Sequence, residues 1–164
     1  MIDYIMFRIH CLLSKIESGS NNYKLKKAKV KLGKNVIFGH RTRLNIEHNS
    51  LAIGEYTYIN DAHIVSTREF PITIGTSCAI GYRVSIKATT HLKEKYWPCE
   101  ESPPLMGGAP IVIGDRVWIG DGVFIKAGVV IGNDVIIGAN SVVTKDVASG
   151  VIVAGVPAKV LANV

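Results

Sequence analysis

An aliphatic residue returns every six positions along most of this chain. In the C-terminal half the series is unbroken and consists of Ile113, Ile119, Ile125, Ile131, Ile137 and Val143. Towards the N-terminus it continues in groups of three, namely Ile74, Ile80 and Ile86, then Ile53, Ile59 and Val65, then Leu32, Phe38 and Leu44. The spacing within each group is six residues, and the steps between groups are 9, 9, 27 and 6 residues. Such a period predicts stacked repeats, and insertions occur only after the third hexad of a group.

The period indicates the shape of the repeat unit. Three extended hexads per 18-residue coil describe a triangular prism, in which each aliphatic side chain stacks on its counterpart about 4.8 Å away. Isoleucine and valine suit this arrangement because β-branched residues pack well on an extended backbone. Glycine often follows the aliphatic residue, and we expect it to permit the corner dihedral angles. A β-sandwich would instead require alternation with period two, which does not explain these spacings.

Composition limits the class of protein. The 164 residues allow one compact domain, and 48% hydrophobic content excludes a disordered chain. Mean hydropathy is +0.25, but no apolar run is long enough for a transmembrane helix. The net charge of +6 suggests an anionic partner, or alternatively solvated lysines on a strand edge. Three cysteines without a C-x-x-C pair favour a reducing, cytoplasmic location.

The N-terminal segment differs from the repeat. Apolar residues between Ile2 and Ile16 recur at helical spacing, and Gly19 follows them, which predicts an amphipathic capping helix over Asp3–Glu17. A helix lying on a membrane surface is the alternative interpretation. A secretory signal is disfavoured because Asp3 and Arg8 interrupt the apolar stretch.

The step of 27 residues marks a candidate functional segment. His91 lies directly before it, and the excursion contains Tyr96, Trp97 and several prolines before the repeat resumes at Ile111. Long excursions from compact folds usually serve binding or catalysis, and prolines stiffen them. We therefore expect a protruding arm at residues 92–110.

Four further segments carry a resemblance to a known family. They read VSIKATTH at residues 84–91, GAPIVIGDRVWIG at 108–120, and GANSVVTKD at 138–146 followed by AGVPAK at 154–159. Together with the hexads they resemble the hexapeptide-repeat O-acetyltransferases of maltose, galactosides and polysaccharides. The chain departs from the maltose type in its shorter N-terminal region and in Leu92, where proline commonly follows the histidine. It is therefore more similar to glycan-modifying members of surface-polysaccharide pathways.

The resemblance implies a fold and an assembly. The fold is an all-β solenoid, a left-handed parallel β-helix of about five triangular coils with a capping helix and one protruding loop. Its left hand comes from the resemblance alone, because general crossover rules favour the right hand. The expected division is a cap and linker at 1–29, a solenoid at 30–150 with the loop at 92–110, and a tail at 151–164. Related enzymes are homotrimers with active sites between adjacent prisms, so a homotrimer is expected.

The resemblance also implies an activity. Acetyl-CoA would be the co-substrate, a sugar hydroxyl the acceptor, and His91 the general base, with no metal and no nucleic-acid partner. An amino-sugar nitrogen or a small xenobiotic hydroxyl is the alternative acceptor. The group that orients His91 stays open between Glu69, Glu94 and a backbone carbonyl.

Matching positions supply the other candidate site residues. Asn60 and, with less exact register, Glu69 match acceptor-contacting positions, while His63 lies one coil below His91 and is a candidate for the acceptor site. The positions that contact CoA in the family are occupied here by Trp118, Ala139, Thr144 and Lys159. A second basic position of the family is Ala162 in this chain.

Two other classes share the repeat. A histidine-liganded zinc enzyme of the β-helical carbonic anhydrase type needs three converging ligands, and the closely spaced histidines of those enzymes are missing here. A non-catalytic solenoid predicts that replacing His91 has no effect on acetyl transfer. Metal analysis and that substitution separate the three interpretations.

Overall fold

The structure is a computed structural model that describes residues 23–39, 41–91 and 106–164. A short helical turn at residues 23–27 precedes the strands. In chain order the strands are β1 (Lys31–Leu32), β2 (Ile37–Phe38), β3 (Arg43–Ile46), β4 (Leu51–Ile53), β5 (Tyr58–Ser66), β6 (Ile72–Ile74), β7 (Ala79–Lys87), β8 (Thr89–His91), β9 (Met106–Gly108), β10 (Ile111–Ile113), β11 (Trp118–Ile119), β12 (Phe124–Ile125), β13 (Val130–Ile131), β14 (Ile136–Ile137), β15 (Val142–Val143), β16 (Val151–Gly155) and β17 (Ala158–Asn163).

The strands wind into a left-handed β-helix of about five triangular coils, as the repeat and the resemblance predicted. Strands β1, β4, β6, β10 and β13 stack in parallel as the first face. The second face consists of β2, β11, β14, β16 and the first halves of β5 and β7. The third face consists of β3, β12, β15 and the second halves of β5 and β7. Because β5 and β7 run through a corner, the second and third faces form one ten-stranded sheet.

The aliphatic ladders fill the prism as expected. The largest fully buried side chains are Leu51, Ile59, Ile64, Ile72, Ile74, Ile80, Ile86, Ile111, Ile113, Ile119, Ile125 and Ile131. Leu32 of the first coil is an exception and is 43% exposed, since this coil is the N-terminal end of the stack within the described residues. Leu25 and Ala28 are buried against this end of the core. The N-terminal end is thus covered in part by the helical turn.

One predicted interior position is wrong. Ile64 is fully buried and aligns with Leu44 and Ile86, whereas the expected Val65 is only half-buried. A register shift between Asp61 and Ala62 causes the difference, because the corner of the second coil is one residue shorter than the others. The third hexad of that coil is therefore displaced by one position.

The corners also differ from the sequence-based expectation about glycine. A Cβ atom on Gly54 would lie 2.6 Å from the backbone carbon of Gly75 in the next coil, so glycine is needed there for close approach. The left-handed backbone falls two residues later instead, on Tyr56, Ser77, Arg116 and Asp134, whose φ values lie between 54° and 58°. The stacking distance, and not the corner dihedral angle, therefore selects glycine after the aliphatic residue.

Polar side chains satisfy backbone N–H groups at the corners. The Asp115 carboxylate accepts a hydrogen bond from the Thr76 N–H at 2.7 Å, and the Asp121 carboxylate accepts one from the Tyr82 N–H at 2.8 Å. The Asn133 carbonyl accepts from the Asp115 N–H in the same manner. Each of these bonds joins two successive coils and so stabilises the stack.

Two features of the core and the ends complete the fold. Burial raises the pKa of the Cys78 thiol, which lies in the interior as a free cysteine. At the C-terminus, β16 continues the second face and β17 folds back on it in antiparallel orientation.

The predicted helix over Asp3–Glu17 and most of the predicted arm lie outside the described residues. Within the described ranges no helix has the length and hydrophobicity needed to cross a membrane.

Candidate active site

His91 lies at the end of a short hairpin stem on the prism. The stem pairs β8 with β9 in antiparallel orientation, so that Thr89 faces Gly108 and His91 faces Met106. It begins directly after Ala88, a fully buried residue whose N–H donates to the Val65 carbonyl at 3.0 Å. The imidazole is exposed at the corner between the third and first faces. The stem is therefore anchored in the core at Ala88, while the histidine at its end is accessible to solvent.

Gly108 allows this stem to lie close against the prism. A Cβ at that position would overlap the Ala88 carbonyl oxygen and would lie 2.7 Å from the Phe70 ring. The absence of a side chain thus lets β9 return to the core at the point where β8 left it. The glycine lies in the GAPIVIG segment that carries part of the family resemblance.

A groove of about 430 Å³ lies at the same corner, beside the stem. Its lining combines two carboxylates, one guanidinium, two hydroxyls and one aromatic ring, from Glu47, Glu69, Arg68, Thr67, Thr89 and Phe70. The turn that builds it is fixed by hydrogen bonds between Thr67 and Phe70, and by the Glu47 carboxylate, which accepts from the Arg68 N–H at 2.8 Å. Glu69 and the stem that carries His91 therefore share one recess.

The sequence did not single out most of this lining. Glu47, Arg68 and Phe70 lie in the steps of nine residues between hexad groups, which the repeat alone marks only as short insertions. Two such insertions and the stem meet at one corner because all three follow a third hexad. That shared position in the repeat is the signal that could have located the groove.

Asn60 and His63 occupy different places from His91. Asn60 lies at the corner between the second and third faces, where its backbone carbonyl accepts a hydrogen bond from the Thr42 hydroxyl at 3.3 Å. His63 lies on the third face beside Arg43 and Ser85 of the neighbouring coils. One face, about 15 Å wide for its five residues, separates the corner of Asn60 from the corner of His91. A single prism therefore does not bring Asn60 and His91 into one recess.

His63 faces outward on the third face. The register shift places Ala62, and not His63, in the buried position beside it. Partial burial, with smaller contributions from the charges of Arg43 and Lys87, holds the pKa of His63 below its ordinary value. His63 thus lies on a cationic strip of the third face that disfavours its protonation.

Three of the residues predicted to contact CoA lie together. Trp118 is 57% exposed on the outside of the second face, between Ala79 and Ile136. Lys159 pairs with Ala154, which lies directly above Gly138, the residue before Ala139. Trp118, Ala139 and Lys159 therefore flank one edge of the C-terminal coils. Thr144 lies apart from them, beyond β15 at the far end of the third face.

The described residues contain no group of three or more histidine, cysteine, aspartate or glutamate side chains placed to hold a metal ion. The exposed ion pair of Arg116 and Asp134, at 2.6 Å, lies at a corner between the first and second faces. The Arg116 guanidinium lowers the pKa of Asp134, in the main through its hydrogen bonds. This pair joins two coils and is separate from the groove.

Comparison with known proteins places this architecture in a family. Residues 110–145 match the model of the bacterial transferase hexapeptide (six repeats). The hexapeptide-repeat acetyltransferase VCA0836 from Vibrio cholerae is 30% identical, with a TM-score of 0.72, over 88% of this chain and 80% of its own. A maltose O-acetyltransferase from Clostridium difficile is 31% identical, with a TM-score of 0.67, over 82% and 69% of the two chains.

A galactoside acetyltransferase solved with coenzyme A is 34% identical, with a TM-score of 0.66, over 86% of this chain and 68% of its own. No curated protein matches the sequence. The fold, the stem and these similarities together define the class, and the chain belongs to the hexapeptide-repeat acetyltransferases.

Proposed function

We propose that this protein transfers an acetyl group from acetyl-CoA to a sugar hydroxyl of a surface-polysaccharide precursor. The observation that carries the proposal is the position of His91 on a packed stem beside a groove lined by Glu69, Arg68 and Phe70. A solved relative, the Vibrio cholerae enzyme, is 29% identical and was crystallised with acetyl-CoA. That complex supports acetyl-CoA as the donor for this chain.

His91 would act as the general base. Its imidazole accepts the proton of the acceptor hydroxyl while the hydroxyl oxygen forms a bond to the thioester carbonyl carbon. The carbon–sulfur bond then breaks, and the CoA thiolate takes up the proton that His91 holds. The exposure of the ring supports this role because the acceptor must reach it directly.

The groove favours a neutral, polyhydroxylated acceptor. Two carboxylates and a guanidinium offer hydrogen-bond acceptors and donors to sugar hydroxyls, and the face of Phe70 offers an apolar surface to a sugar ring. An acidic sugar would meet Glu47 and Glu69 as like charges, which disfavours it. These features support an ordinary hexose or acetamido sugar as the acetylated residue.

The edge beside Trp118 would bind CoA. The exposed indole can pack against the adenine or the pantetheine chain, and the Lys159 ammonium can approach a phosphate as a point charge. Thr144 lies at the other end of the third face and would reach the same CoA only from an adjacent chain.

A shared site implies a homotrimer. Asn60 and His91 lie at different corners of one prism, so an acceptor that contacts both requires two chains side by side. The same holds for Thr144 and Trp118. Two independent pairs of family-matched residues therefore support active sites between adjacent prisms.

The test is a thiol-release assay with acetyl-CoA against a panel of free sugars and lipid-linked oligosaccharides. We expect His91→Ala to lower kcat by about 10²–10⁴, the usual contribution of a general base. His48→Ala is the matched control, because His48 is a half-buried histidine of the first coil outside the groove. Full activity of His91→Ala, or equal losses in both variants, would contradict the proposed role.

A further inference from the structure

The excess positive charge of the chain is concentrated at one end of the prism. Residues 18–46 contain eight lysines and arginines and no aspartate or glutamate. The other 135 residues carry eleven basic and thirteen acidic side chains, so they have a slight negative balance. A solenoid separates such segments in space because each coil contacts only its neighbours. The described basic residues of this segment therefore lie together at the N-terminal end of the solenoid, on the helical turn and the first coil.

Six of these lysines form one surface, the N-terminal pole, which consists of Lys24, Lys26, Lys27, Lys29, Lys31 and Lys34. All six are exposed around the helical turn and the first coil. The ion pair found among the described residues, Arg116 with Asp134, lies in later coils and neutralises none of them. In the part of the chain that the structure describes, none of the six lysines forms an ion pair, so the pole carries a dense positive charge.

Apolar side chains are interleaved with the lysines. Tyr23 is 65% exposed with the Lys27 ammonium 6.0 Å from its ring centre, and Ile37 is 64% exposed on β2 of the same coil. Leu32 is also exposed, between Lys31 and Lys34. Lysines beside exposed aromatic and aliphatic residues suit the interface of an anionic lipid bilayer, where charge meets head groups and apolar side chains enter the boundary region. A nucleic acid would use the charge but would gain little from Leu32 or Ile37.

We propose that the N-terminal pole docks this protein on an anionic membrane surface. The pole is the end of a prism, so the lysines of the turn and of the first coil can face one plane together. The candidate groove reaches the first coil only at Glu47, and none of the six lysines lines it. The inference therefore stands independently of the acceptor and of the role of His91.

The lysines have one other explanation that must be separated from docking. Among the described strands, β1, β2 and β3 are the edge strands of the solenoid at the pole, and lysines can keep such edges from pairing with other chains. Edge protection predicts that loss of these charges causes self-association. Docking predicts that loss of these charges lowers lipid binding without causing self-association.

The test compares two triple variants in vesicle co-sedimentation. Lys24, Lys26 and Lys31 are changed to Gln in the first, and Lys87, Lys126 and Lys145 in the second, so that each lowers the formal net charge of +6 equally. The vesicles are pure phosphatidylcholine, or phosphatidylcholine mixed with phosphatidylglycerol. Each lysine near an anionic bilayer contributes about a fivefold factor, so we expect the first triple to lose about a hundredfold in partitioning and the second about twofold or less. Wild-type binding should also fall steeply with added salt.

Several outcomes would overturn docking. These are equal losses in the two triples, equal wild-type binding to neutral and anionic vesicles, or binding to a DNA oligonucleotide as strong as to anionic vesicles. Light scattering of the first triple variant without lipid tests edge protection. If this variant self-associates but still binds lipid, docking is also overturned. Unchanged circular dichroism of both triples confirms that the substitutions leave the fold intact.

Discussion

The carbonyl oxygen of Ala88 accepts a hydrogen bond from the N–H of Ala109 at 3.0 Å. These residues stand on either side of the excursion, so the chain leaves the prism and returns to it at one point. The backbone of the coil itself therefore makes the closing contact. We expect the solenoid and the excursion to be separable in stability and in function.

Replacing residues 92–105 by a short glycine-containing turn should spare the fold and abolish transfer. The stem of β8 and β9 remains, and the buried ladders from Ile86 to Ile111 are untouched. We expect a change in Tm of a few degrees at most, together with loss of acetyl transfer of at least a hundredfold. Thermal unfolding followed by circular dichroism, alongside the thiol-release assay, measures both. Parallel loss of stability and activity would show that the arm belongs to the folding core.

Gly75→Ala should destabilise the solenoid. A Cβ there would lie 2.5 Å from the carbonyl carbon of Gly114 in the next coil, and backbone cannot move aside as a side chain can. Overpacking of this kind costs about 1–3 kcal/mol in the free energy of unfolding. The neighbouring Thr76→Ala is the control, since the hydrogen bond of Thr76 to Asp115 uses its backbone N–H. Urea titrations that give the two variants equal midpoints would refute the close-approach explanation for glycine.

The stability of variants at position 77 should depend on how well the new residue tolerates left-handed backbone. Its φ is 56°, a conformation that asparagine adopts readily and β-branched residues resist. We expect Ser77→Val to cost about 1–2 kcal/mol in the free energy of unfolding and Ser77→Asn to be neutral or slightly stabilising. Chemical denaturation of the pair measures the difference. A valine variant as stable as the asparagine variant would place the corner elsewhere in the hexad.

His63 should make the stability of the protein depend on pH. Burial and the charges of Arg43 and Lys87 lower its pKa in the folded chain, while the unfolded chain takes up the proton near the ordinary value of about 6.5. The unfolded state thus binds more protons between the two values, so this contribution is complete above the ordinary pKa and is lost as pH falls towards the folded pKa. His63→Gln should flatten the acidic side of the stability profile.

The direction of the His63 pKa can be checked directly. Proton NMR titration of the folded protein should give a His63 midpoint below that of free imidazole side chains, and Lys87→Gln should raise it by removing a nearby positive charge. A midpoint at or above the ordinary value, or one that does not respond to Lys87→Gln, would remove the electrostatic basis of the pH prediction.

The repeat determined the triangular coil and the buried ladder from Ile113 to Val143, because a six-residue period places these side chains on the inside of stacked turns. The left hand of the solenoid came from the family resemblance and not from the repeat. The repeat also marked His91, since it stops directly after that residue. The register around Ile64 was not predictable in this way, because a corner shorter by one residue leaves both Ile64 and Val65 available as core residues until the coils above and below select one.

The site depended on tertiary structure for a different reason. Glu47, Glu69 and Thr89 are separated by about one coil each along the chain, and only the winding of the prism stacks their corners into one groove. The same winding separates Asn60 from His91, which family-matched positions alone suggested as partners. The six-residue spacing determines which side chains point inward. Which outward side chains of different coils lie close enough to form a site is determined only by the stacking of the coils.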